Sequence, residues 1–221
     1  MLDQDHTRML REGAQQFSLT LSEATVSQFA TFIEEIQRWS TIADLLSQID
    51  PATLIRKHIL DSLALLPWIP AGSWVLDLGS GAGFPGLPLA IAKPEVHVTL
   101  IEARRKRANF LKAAIRALTL RNINAYEGRA EQLSQTESLS AAFDMVVTRA
   151  TWSLSLLLTL ARPFLRPEGI VIAMKGPRLQ HEIVEQREGI KKTGFVHTDT
   201  KAYTLAGNEK RTLAFFSQTS R

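Results

Sequence analysis

An aspartate and three glycines alternate along Asp77-Leu78-Gly79-Ser80-Gly81-Ala82-Gly83, and Phe84-Pro85-Gly86 follows at once. Glycine backbone lets a ligand lie directly against the chain and reaches conformations that side chains forbid. Further on stand Glu102, the pair Ala130-Glu131, and Arg149. A carboxylate offers only acceptors, so Glu102 can take both hydroxyls of a ribose. The Ala130 N–H can meet an adenine ring nitrogen, and Glu131 can accept from the adenine amino group. This chemistry is adenosine recognition, and two cofactors fit it: a nicotinamide dinucleotide or S-adenosylmethionine.

The loop can be read in two registers. Gly81-x-Gly83-x-x-Gly86 matches the dinucleotide fingerprint G-x-G-x-x-G, a weak signal when taken alone. Asp77-x-Gly79-x-Gly81-x-Gly83 matches the aspartate-led loop of S-adenosylmethionine enzymes. In a dinucleotide fold the first glycine follows the strand closely. Gly79 does so, whereas Gly81 lies further out. A pyrophosphate also needs free N–H groups at the helix start, and Pro85 removes one. S-adenosylmethionine is therefore the expected cofactor, held by Asp77, Gly79, Ser80, Gly81, Gly83, Glu102, Ala130 and Glu131. Glu102 and Glu131 have plainer readings as a solvated strand end and a helix-start acid facing the dipole.

These residues need a frame. From Ala71 onward, short β-rich runs alternate with helical patterns: WVLDL, VHVTLIE, INAYEG, FDMVVTRA and GIVIAMKG, with helices starting near Gly86, Arg104, Ala130 and Trp152. That alternation predicts βαβ units and a parallel sheet with helices on both faces. A helix fits Arg178 to Lys192 with Gly194 after its end, and then FVHTDTKAY and RTLAFFSQ predict a hairpin with an antiparallel strand. The expected fold is α/β, a Rossmann-like methyltransferase sheet of seven strands over residues 71–221. Residues 1–70 read as a helical extension packed on that core. Thr20-Leu21-Ser22-Glu23 looks like a capping box, and Val26, Phe29, Ile33, Ile36 and Trp39 repeat at helical spacing behind it. Pro51 opens a further helix expected to continue until Pro67.

The end of the fourth strand, Thr148-Arg149-Ala150, narrows the acceptor. It lacks the Asp/Asn-Pro-Pro-aromatic motif of enzymes that methylate exocyclic amines. Methylation of pyrimidine C5 needs a cysteine nucleophile, and the chain has no cysteine. Lys175 suits ribose methylation, but the aspartate expected with it is missing. An acceptor that is already nucleophilic remains, such as guanine N7, which needs placement but no general base. Arg149 lies where open α/β sheets bind ligands, and an arginine buried there for packing alone would be costly. The run Arg104-Arg105-Lys106-Arg107 reads as a solvated helix face or as phosphate contacts; Arg105, Lys106, Arg107 and Lys175 are the RNA-contact candidates.

Composition sets the outer bounds. The chain has 221 residues, 45% hydrophobic and 22% charged, with a net charge of +4. That balance permits a nucleic-acid partner without demanding one. The lack of cysteine excludes disulfides and thiolate zinc sites, and no metal is expected. MLDQDHTRML has no apolar signal region, and Trp152 to Leu165 is too short to span a bilayer, so a cytoplasmic protein free of the membrane is expected.

KHILDSLAL, VLDLGSGAGFPGLPLA, LIEARRKRANFL, EGRAEQL, FDMVVTRA and MKG together resemble the bacterial small-subunit ribosomal RNA guanine-N7 methyltransferases, also called the glucose-inhibited division protein B family. The likeness covers nearly the whole chain in the same order. It implies a cytoplasmic enzyme, expected to be a monomer, that methylates guanine N7 in 16S ribosomal RNA or a small-subunit particle. It also implies cofactor contacts at Gly79, Phe84, Ala130-Glu131 and Arg149; the place of Arg149 after the fourth strand makes it the catalytic candidate as well. WSTIADLL departs from the family, which has Trp-Asn and then a short Asn-Leu-Thr segment there. Two alternatives stay open at this point: a nicotinamide-dependent oxidoreductase, and a non-catalytic RNA-binding module on the same fold.

Overall fold

The structure is a computed structural model and describes residues 2–149, 152–205 and 207–219. Its seven strands are β1 (Trp74–Leu78), β2 (His97–Glu102), β3 (Ile123–Glu127), β4 (Phe143–Thr148), β5 (Leu165–Lys175), β6 (Phe195–Leu205) and β7 (Glu209–Gln218). They form one sheet in the order β3-β2-β1-β4-β5-β7-β6. Pairing is parallel from β3 through β5, and β7 runs antiparallel to both β5 and β6. This is the α/β sheet expected from the sequence. β1 and β2 read as near-continuous apolar runs because both faces of the sheet are covered. The strand order reverses between β1 and β4, which opens a crevice at their carboxyl ends.

The crossovers are carried by α5 (Gly86–Ala92), α6 (Arg105–Ala117), α7 (Ala130–Leu133) and α8 (Leu154–Ala161). α8 begins two residues after Trp152, where Ser153 caps it by accepting from Leu156 N–H. Ala150 of the Thr148-Arg149-Ala150 motif lies outside the described residues. The single helix expected over 178–192 is instead two, α9 (Leu179–Glu185) and α10 (Arg187–Lys192), broken at Gln186. The Gln186 side chain accepts from Ser155 N–H and so ties the break to α8.

Ahead of the sheet lie α1 (Gln4–Gln15), α2 (Glu23–Ala43), α3 (Pro51–Leu54), a π-helical turn at Ile55–Ile59, and α4 (Leu60–Leu63). The α2 cap is Ser22, whose Oγ accepts from Thr25 N–H, rather than the Thr20 box read from the sequence. The helix after Pro51 is not regular either, because the π turn interrupts it and Pro67 falls in a separate 3₁₀ turn at Leu66–Trp68. One apolar cluster joins Leu10, Phe29, Ile33, Leu54 and Ile59 to Val75, Leu100, Phe110, Val147 and Ile172. The helices before residue 71 thus complete one face of the sheet. Leu157, Leu158, Phe164, Val171 and Phe216 fill the other.

Candidate active site

The glycine loop leaves β1 and is held by its neighbours' backbone. Gly79 N–H and Ser80 N–H both donate to Ile101 O, at 2.9 and 3.0 Å. Gly79, Gly81 and Gly83 have φ of 75°, 56° and 86°, a region open to glycine and strained for branched side chains. A Cβ on Gly86 would lie 2.2 Å from Leu100 and 2.8 Å from the Asp77 carboxylate, so α5 starts hard against β1.

Asp77 is fully buried beneath this loop. Its Oδ2 accepts from Gly86 N–H at 2.9 Å, and its Oδ1 has no partner among the described residues. Burial pushes its carboxyl up to about 7, against the opposing pull of the Gly86 hydrogen bond. Ser80 spends its hydroxyl on Asp77 O at 2.9 Å. Glu102 closes the loop from the side: Oε2 accepts from Gly81 N–H at 2.9 Å and Oε1 from Arg104 N–H at 2.7 Å. Each oxygen keeps a lone pair for a further donor.

A cavity of about 670 Å³ opens at the carboxyl ends of β1, β2 and β3, within the range of small-molecule sites. Gly79, Glu102, Ala130, Glu131 and Arg149 line it, together with Arg107 and Trp152. Asp77, Ser80, Gly81, Gly83 and Phe84 do not. The first four shape the loop instead. Phe84 turns its ring towards the N-terminal helices, 5.3 Å from the Phe32 ring and 5.0 Å from His58, where Arg149 lies over it at 5.3 Å. The basic run also divides. Arg105 and Lys106 are exposed at the start of α6, but Arg107 turns inward and donates to Asp44 O at 2.6 Å.

A second cavity, of about 410 Å³, lies on the other side of Arg149 and is lined by Lys57, His58, Asp61, Met174, Lys175 and Arg211 among others. Arg149 is the wall between the two. Its Nη1 donates to Asp61 Oδ2 at 3.2 Å and to Lys57 O at 3.3 Å, and its Nη2 meets His58 Nδ1 at 2.7 Å. The other oxygen of Asp61 accepts from Tyr203 Oη at 2.6 Å. Lys175 is engaged as well, donating to Trp152 O at 2.9 Å and to Glu182 at 3.0 Å. A lysine so occupied is no free base for ribose methylation. The sequence reading missed His58, Asp61, Tyr203 and Arg211. One signal was present: His58 and Asp61 stand three apart in an otherwise apolar helical stripe.

The model of the family described as rRNA small subunit methyltransferase G matches residues 25–213. The chain belongs to that family. Ribosomal RNA small subunit methyltransferase G of Sorangium cellulosum is 42% identical over 170 residues, covering 76% of this chain and 71% of its own. The protein of that name from Syntrophus aciditrophicus is 34% identical over 218 residues, 97% of this chain and 90% of its own. Among solved structures, a SAM dependent methyltransferase from Aquifex aeolicus superposes with a TM-score of 0.57 at 15% identity, over 83% of this chain and 98% of that one. At that identity the match speaks for the fold alone. Family membership sets aside both the oxidoreductase register of the loop and a non-catalytic module: the chain is a small-subunit rRNA methyltransferase that uses S-adenosylmethionine. The cavity fits that cofactor, with bare backbone at Gly79 and free acceptor capacity on Glu102.

Proposed function

We propose that this chain methylates N7 of a guanine in 16S ribosomal RNA, with the cofactor in the larger cavity and the target nucleotide entering through the smaller. The observation that carries this reading is Arg149, a single side chain bordering both cavities at the end of β4. S-adenosylmethionine supplies a methyl group on a sulfonium centre, and N7 supplies a lone pair with no proton to lose. The protein therefore needs to place and shield the reactants rather than provide a base.

Glu102, Ala130 and Glu131 would hold the adenosine end and the Gly79 backbone the amino-acid end. Lys57, Lys175, Arg149 and Arg211 give the smaller cavity a cationic lining suited to RNA, while Asp61 is spent on Arg149 and Tyr203. Arg149 acts as a positioning cation: it stays protonated, and its Nη groups are anchored, so it fixes the wall where donor and acceptor meet. Arg105 and Lys106, exposed beside the cofactor cavity, would touch phosphates outside it. Both cavities are lined within one chain, which supports an enzyme that acts as a monomer. No helix among the described residues is long and apolar enough to cross a membrane. The test is to map 7-methylguanines in 16S RNA from a deletion strain. One guanine is expected to lose its methyl group and regain it with the purified enzyme. An unchanged map would overturn the assignment.

A further inference from the structure

The smaller cavity contains one hydrogen-bond donor whose direction is fixed by its surroundings. Arginine can only donate, so His58 Nδ1, 2.7 Å from the Arg149 Nη2, must be the unprotonated nitrogen of its ring. Burial, with Arg149, Lys57 and Arg211 close by, holds the imidazole neutral and drives its pKa down to about 3. The network thereby assigns the single ring proton to Nε2. That N–H has no hydrogen bond to any described residue, and it is not among the buried unpartnered atoms, so solvent reaches it. The ring cannot turn freely to hide it. Phe84 packs against it at 5.0 Å, Arg149 grips its far side, and Asp61 and Tyr203 hold Arg149 in turn.

A fixed, unspent donor beside a base that reacts at N7 has a specific use. Guanine and adenine both present N7, but the neighbouring position is the acceptor O6 in guanine and the donor N6–H₂ in adenine. We propose that His58 donates its Nε2 proton to O6 of the target guanine and so makes the enzyme choose guanine over adenine. His58 is then a specificity residue that touches the substrate, Arg149 sets its tautomer, and Asp61 with Tyr203 positions Arg149. Adenine would bring its own donors against the Nε2–H and leave both unsatisfied. The inference rests on guanine N7 as the acceptor.

The experiment uses reconstituted small subunits whose 16S RNA carries guanine, 2-aminopurine or adenine at the mapped position. 2-Aminopurine keeps N7 and lacks O6. The wild-type enzyme is expected to prefer guanine over 2-aminopurine by about 10- to 100-fold in kcat/KM, the effect of one hydrogen bond to a buried acceptor. His58→Phe is expected to keep its circular dichroism and its calorimetric affinity for S-adenosylmethionine, and to treat the two bases alike. His58→Gln, which can accept from Arg149 and still donate, is expected to restore most of the preference. A phenylalanine variant with the wild-type ratio would overturn the proposal. So would a glutamine variant that methylates the adenine substrate as readily as guanine; it decides alone if His58→Phe is too slow to give a ratio. Wild-type product methylated at an atom other than N7 would overturn the functional reading and this inference together. An N7 product with unaltered discrimination in His58→Phe would overturn the inference only.

Discussion

Two groups near Arg149, the buried Asp77 and the half-buried His58, have pKa values displaced in opposite directions, and their effects on stability should nearly cancel. Asp77 is raised from 3.8 to about 7 by burial. Between those values the unfolded chain is ionised there and the folded chain is protonated, so folding stability is full below 3.8 and lost as pH rises towards 7. His58 is lowered from 6.5 to about 3, again chiefly by burial. Between those values the unfolded chain binds the extra proton, so stability is gained as pH rises to 6.5. From pH 5 to pH 7 the first effect removes roughly 2 kcal/mol and the second adds roughly 2 kcal/mol, at about 1.36 kcal/mol per unit where only one state titrates.

The wild-type contribution of this pair is therefore nearly flat across that window. Asp77→Asn keeps an acceptor for Gly86 N–H and abolishes the falling component, so the variant should gain about 2 kcal/mol more than wild type between pH 5 and pH 7. His58→Gln should do the reverse and lose a similar amount relative to wild type. Glu102 and Arg149 also act on Asp77, but both remain in each variant, so the comparison cancels their direct effects. Urea unfolding of the cofactor-free enzyme at pH 5, 6 and 7, with a common m-value, reads these differences. Profiles of both variants within about 0.5 kcal/mol of wild type would show that neither group titrates as its burial requires.

Gly79→Val places a branched side chain at φ 75°, so it should cost roughly 1–3 kcal/mol of stability and at least tenfold in S-adenosylmethionine affinity by calorimetry. Normal cofactor affinity would remove the loop from the site. Arg105→Gln with Lys106→Gln should weaken RNA binding and reduce the slope of log K against log salt by about 1 to 2, with cofactor affinity unchanged. Arg107 is left out of that pair because Asp44 already holds it. Arg149→Lys should lower single-turnover methylation about 100-fold while leaving the fold intact, because one ammonium cannot span Asp61, His58 and Lys57 O together. Near-normal turnover would show that the fork is dispensable.

The glycine loop was legible in the sequence because its determinants are local. Positive φ at Gly79, Gly81 and Gly83 is a demand on the backbone, and glycine meets it wherever the chain turns so tightly. The parallel sheet with helices on both faces followed from the βαβ alternation and its handedness. Side-chain direction was less accessible. Asp77, read as a ligand, points under the loop towards Gly86; Phe84 points away from the cofactor cavity; Arg107 bends to Asp44. The smaller cavity was hidden for a stronger reason. Tyr203 and Asp61 are 142 positions apart, and Arg149 and Asp61 are 88 apart. Within residues 51–66 His58 and Asp61 show only as polar positions three apart on an apolar stripe, and nothing there says that they face β4. The π turn over Ile55–Ile59 re-aims His58 and Asp61, and irregular turns of that kind leave no periodic trace.

The same cluster ties the helices before residue 71 to the end of β4. A guanidinium at the end of β4 is costly to desolvate, and the sheet alone gives it little compensation. Asp61, His58 and the Lys57 carbonyl all come from the π turn and the helix that follows it. Asp61 is itself 4% exposed, so it too needs both its oxygens satisfied, and Tyr203 on β6 supplies the second partner. The network closes only when the N-terminal helices, β4 and the C-terminal hairpin are all in place. A partly closed network would leave a buried charge unpaired, which penalises every arrangement but the assembled one. The residue that borders both cavities is thus held by segments far apart in the chain, and its hydrogen bonds are complete only once the extension has docked on the sheet.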